Sequence, residues 1–127
     1  MNISFPTLNK DQAIDAFWRL FDITPYEETQ VPADAPYPYL THESAVDDFG
    51  HEIAQTATLS YRSTSWVEIT SKRNEIAEVI TKGGRYVKYS GGAFIIRRAS
   101  PWAQRMSDSA DDSVRKMILN YTIEFVE

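Results

Sequence analysis

Residues 114–127 read VRKMILNYTIEFVE, and their periodicity decides the fold. From Met117 the apolar residues fall on every second position, as Met117, Leu119, Tyr121, Ile123 and Phe125. Ile118, Asn120, Thr122, Glu124 and Val126 lie between them. A period of two with a mostly polar opposite face is the pattern of a strand buried on one side. Val114, Met117, Ile118 and Tyr121 also fit one helical face, but the β-branched and aromatic content favours the strand. A strand that runs to the last residue has to be tied into a sheet, because free termini fray. The segment is therefore expected to be a central or near-central strand on which the other elements assemble.

Moving outward, residues 85–89 and 93–98 read as two short strands joined by a tight hairpin at Gly91-Gly92. These glycines lack the strand–loop–helix context of a phosphate cradle. Residues 99–113, ASPWAQRMSDSADDS, are expected to form a loop of about 15 residues, a length that is usually functional when it occurs in a compact domain. Trp102, Arg105 and Met106 in it are residue types enriched at protein interfaces. The alternative for Trp102 is a lid folded back on the core.

Upstream, Trp66, Ile69, Ile76, Ala77 and Ile80 mark one face of a helix predicted over residues 66–82. Ser65 and Glu68 have the spacing of a capping box, and Gly83-Gly84 supplies a C-terminal cap. Arg73 interrupts the apolar face and is expected at its edge. Residues 55–61 alternate as a strand, and 37–42 read as another, entered from proline. Between them, residues 43–53 (ESAVDDFGHEI) form an acidic loop holding Asp47, Asp48 and His51, with His42 just before it. This is where a metal site would have to lie, but the stretch has neither the HExxH pattern nor calcium-loop spacing, and it reads as a solvated acidic arm.

Residues 25–38 contain four prolines and are expected to run extended over the surface. Before them, Asn9 and Gln12 form a capping-box pair, and Ile14, Phe17, Trp18 and Phe21 line one face of a helix ending near Asp22. The expectation is a single domain over residues 1–127, with an N-terminal helix and Pro-rich linker over 1–35. Its fold class is α+β: a mainly antiparallel sheet of about four to five strands with two helices packed on one face.

The composition bounds the function. At 127 residues the chain is long enough for one well-filled core. A net charge of -5 disfavours non-specific binding to nucleic acid. The sequence has no Cys, which removes disulfides, thiolate nucleophiles and cysteine metal ligands. The first residues lack the basic and apolar regions of a signal peptide, and no apolar run approaches a membrane span. Aromatics make up 13% of the chain, enough to serve both a core and an interface. No catalytic motif or cofactor signature is present.

Residues 65–84 (STSWVEITSKRNEIAEVITKGG without its first two residues), the hairpin at Gly91-Gly92, the segment 97–106 (RRASPWAQRM), the acidic turn 108–112 and the closing strand resemble the tail terminator proteins of long-tailed bacteriophages. The Pro36-Tyr37-Pro38-Tyr39 approach is similar to that family too, so the resemblance covers residues 36–127. It implies a non-enzymatic virion protein at the head–tail junction. Such a protein forms a ring, typically a hexamer, binds the end of the tail tube, stops its polymerisation and offers a surface to a head completion or neck protein. The alternatives are a head–tail adaptor of the neck, and a small metal-dependent hydrolase built on His42 and His51. A ring needs two different patches on one subunit. The expected pairing sets Arg97, Arg98 and Arg105 of one copy against Asp47, Asp48 or Asp111 of the next, with Trp102, Arg105 and Met106 as interface residues.

Overall fold

The computed structural model describes residues 3–43, 50–106 and 111–126. In chain order the elements are β1 (Ile3–Phe5), α1 (Lys10–Arg19), β2 (Thr24–Glu27), β3 (Tyr39–His42), β4 (Glu52–Arg62), α2 (Val67–Ile80), β5 (Arg85–Tyr89), β6 (Gly92–Met106) and β7 (Val114–Val126). One seven-stranded sheet runs β1-β5-β6-β7-β4-β3-β2 and curves as a half-barrel. β7 is its middle strand. Its alternation is seen directly: Met117, Leu119, Tyr121, Ile123 and Phe125 are buried, and the residues between them are half-buried.

The sheet corrects the expectation of a mainly antiparallel array of four to five strands. It has seven strands and is mixed, because β1 pairs in parallel with β5 and β2 in parallel with β3. Both additions are short edge strands, ISF and TPYE. Three or four residues are too few to carry a period, so the ladder recruits them and their own sequence does not announce them. Pro25 in β2 fits an edge, where a missing N–H costs nothing.

The expected long loop is also corrected. β6 continues to Met106, and its ladder with β7 breaks only between Arg98 and Ala103. Pro101 lies in that break and has no N–H to give the ladder. Asn120 of β7 donates to the Pro101 carbonyl at 3.1 Å and so ties the bulge to the sheet.

Asn9 caps α1 as its spacing requires. Its side chain accepts from Gln12 N at 2.9 Å, and the Gln12 side chain accepts from Asn9 N at 3.0 Å. α1 ends at Arg19, earlier than the sequence suggests. The start of α2 differs as well: Ser65 Oγ accepts from Val67 N at 3.1 Å, but the N-cap residue is Trp66, which makes no side-chain cap. At the other end Thr81 has a positive φ of 64 with an extended ψ of 165, and its N–H bonds Ala77 O. The turn then closes through Gly84 N and Thr81 O. Gly84 is needed for another reason: at φ 97 it passes so close to β6 that a Cβ would meet Arg97 Cγ at 2.8 Å.

Both helices fill the inner face of the sheet and share one core. From α1, Phe17 meets Phe94 edge-on at 6.2 Å, and Trp18 packs on Tyr121 at 5.4 Å and stacks on His42 at 6.3 Å. From α2 come Ile69, Ile76 and Ile80, all fully buried. The Tyr121 hydroxyl, buried among these groups, donates to Gln55 Oε1 at 3.3 Å, and burial raises its pKa. No helix among the described residues is long and apolar enough to cross a membrane.

Candidate assembly surface

The end of the β6–β7 hairpin lies against the start of α2. Trp66 is held there, half-buried, by its place at the helix N-terminus. The Arg105 guanidinium stacks over its indole at 4.4 Å, and Arg115 approaches the same ring at 5.5 Å. Arg115 is fixed by its own bonds to Asp112 O and Thr64 O, each 2.9 Å. Two cations on one electron-rich ring keep the indole in place and give the surface a positive character.

Around this stack the surface is apolar or uncharged. Val67 follows Trp66 and is 74% exposed, whereas Met106, 37% exposed, alternates with Arg105 along β6 and so lies on the other face of the sheet. A groove of about 450 Å³ is lined by Trp66, Val67, Thr70, Ser71, Asn74 and Arg105. Val67, Thr70, Ser71 and Asn74 share one face of α2 by their three- and four-residue spacing. The sequence reading kept Trp66 for the core face of the helix and passed over the other four. The signal it missed was this stripe of uncharged residues on the side away from Ile69 and Ile76.

The remaining residues expected at an interface are dispersed. Arg97 is occupied within its own chain, bonding Glu52 at 2.9 Å and Glu124 at 3.1 Å. Arg98 is exposed and has no partner among the described residues. Trp102 is half-buried and packs against the core, with its Nε1 buried and unbonded. Asp47 and Asp48 lie outside the described residues. Asp111 accepts from Ser113 N at 2.8 Å and from Ser113 Oγ at 2.6 Å, and these bonds hold its carboxyl below the usual carboxylate range. Arg62 reaches Asp111 at 3.9 Å, bonds Ser113 Oγ at 3.1 Å and covers the Tyr37 ring at 4.7 Å. Burial, followed by the nearby Tyr39, pushes the Tyr37 hydroxyl up.

The two histidines are far apart in character. His42 is buried against Trp18 and its Nδ1 contacts Glu43 O at 3.2 Å, whereas His51 is exposed. No three metal-ligating side chains converge among the described residues. Compared with protein-family models, with characterised proteins and with solved structures, the chain matches none.

Proposed function

We propose that this chain is a structural assembly protein of the tail terminator type. In this reading copies of the chain form a ring, a hexamer by the family's habit. The ring sits on the end of the tail tube at the head–tail junction of a virion, stops tube growth and receives the head completion protein. The chain acts as a surface and carries out no catalysis.

One observation supports the reading most. Val67, at 74% the most exposed of the large apolar side chains, lines the groove beside the Trp66–Arg105 stack. An aromatic and an arginine side chain grouped beside an exposed apolar one are the make-up of an interface centre. The patch is built on a helix end and a paired hairpin, so it is presented without ordering a loop, which lowers the cost of association. Arg97 takes no part in the ring contact, being already paired within the sheet. Arg98 and Arg105 remain as the cations that meet a neighbour.

The test is negative-stain imaging of the purified protein, alone and mixed with self-assembling tail tubes. Rings, or caps on tube ends with shortened tubes, are expected, and Arg105→Glu should abolish them while leaving the monomer folded. A dispersed protein that ignores the tubes would overturn the reading.

A further inference from the structure

Residues 28–38 join β2 to β3 at one edge of the sheet. Within them Pro32-Ala33-Asp34-Ala35 closes as a turn, in which Ala35 N donates to Pro32 O at 3.1 Å. Pro32, Ala33, Asp34 and Pro36 are exposed, and Val31 and Ala35 are half-buried. Prolines at both ends of the tip restrict its backbone, so the turn is presented with little left to order. The loop holds two carboxylates, Glu28 and Asp34, and no cation. Asp34 stands at the tip and makes no ion pair among the described residues.

The groove at the start of α2 has the opposite character. Its walls hold the Arg105 guanidinium and no carboxylate. Arg105 lies over the Trp66 indole and meets no acidic side chain among the described residues. Trp66 and Val67 offer apolar surface suited to Ala33 and Pro36, and Thr70, Ser71 and Asn74 have donors for the carbonyls of a turn. Val67 to Asn74 span about 10 Å along the helix. A β-turn is no more than about 7 Å across, so its tip fits that length. On one copy the turn and the groove stand apart. β7 and β4 lie between β6 and β3, which sets β6 and β3 about 14 Å from each other at the usual strand spacing. Complementary patches at different places on one subunit are what a head-to-tail contact requires.

We propose that the groove is occupied by the 31–36 turn of a second copy of this chain, with Asp34 paired to Arg105 and the proline-flanked tip seated on Trp66 and Val67. The inference rests on the reading of this end of the molecule as the ring contact, and it names the surface that the neighbour brings. The Asp34–Arg105 pair lies at the rim, where it sets register and partner choice more than affinity.

The test is disulfide formation between copies of the full chain, which has no cysteine of its own. One protein carries Ala33→Cys and the other Ser71→Cys, both small changes at exposed positions that leave the fold intact. Mixed with tail tubes and mildly oxidised, the two proteins should link to each other faster than either links to itself. Adding Arg105→Glu to the Ser71→Cys protein should lower the yield about fivefold, since two carboxylates then meet. Adding Asp34→Lys to the Ala33→Cys protein as well should restore it. Negative-stain images of the same samples separate this inference from the reading it rests on. Rings without the mixed disulfide, or a yield that the charge changes leave unaltered, overturn the turn as the occupant and leave the ring standing. Absence of both rings and linkage overturns the two together.

Discussion

Glu52 and Glu124 stand directly opposite each other across the β4–β7 ladder, and the Arg97 guanidinium of β6 bridges them at 2.9 and 3.1 Å. Facing like charges destabilise a sheet, so Arg97 acts as the clamp that lets two carboxylates share one face. Arg97→Ala should lower stability by about 1 kcal/mol, given the partial exposure of all three groups. Urea unfolding is the check. Adding Glu124→Gln to the variant should restore most of the loss, and raising the salt concentration should shrink it.

Tyr61 carries a pH signature. Burial pushes its hydroxyl up to about 12, helped by the Glu68 and Glu75 carboxylates. The unfolded chain gives up that proton near the ordinary value of about 10. The folded chain holds the proton more tightly, so this contribution is fully present below about pH 10 and is lost as pH rises through about 12. Tyr61→Phe should be close to neutral at pH 8 and more stable than the parent by on the order of 1 kcal/mol at pH 11. Unfolding curves at the two pH values test the sign.

Leu119 sits at the middle of β7 with no exposed surface, paired to Ala57 on one side and Ala103 on the other. Small neighbours on both sides leave little to collapse into the space of a lost side chain. Leu119→Ala should therefore cost roughly 3–5 kcal/mol, the upper part of the range for such truncations, measured by chemical denaturation.

Val67 is the opposite case, being 74% exposed on the first turn of α2. Val67→Lys should leave the melting temperature within about 2 °C of the parent, because exposed substitutions have small effects. On the proposed function it should remove ring formation or tube capping. A variant that assembles normally would show that this end of the molecule is not the contact.

What the sequence revealed about the fold follows from segment length. β7, β4 and the two helices each repeat their period several times, so their buried faces were legible, including the Asn9–Gln12 cap. β1 and β2 hold three and four residues, and only the neighbouring ladder makes them strands. The second half of β6 is obscured by Pro101, which lies in a break of the ladder inside the strand and within the stretch 99–113 expected as a loop. At the surface, the sequence does not reveal the indole beneath Arg105, since Trp66 and Arg105 meet only through the fold. The in-chain pairing of Arg97, expected to meet a neighbouring copy, is not legible because its partners Glu52 and Glu124 come from strands distant in sequence.

The central place of β7 also sets the order in which the molecule can come together. The strands β1, β5 and β6 form one half of the sheet and β4, β3 and β2 the other, and β7 alone joins them. β7 is synthesised after all six, so the two halves wait with open inner edges until it leaves the ribosome. Its pairings with β4 span 52 to 72 residues of chain, as from Arg62 to Val114 and from Glu52 to Glu124, which makes closure slow and all-or-none. A nascent chain halted before this strand would expose two unpaired sheet edges and an open apolar face, the form most prone to aggregate.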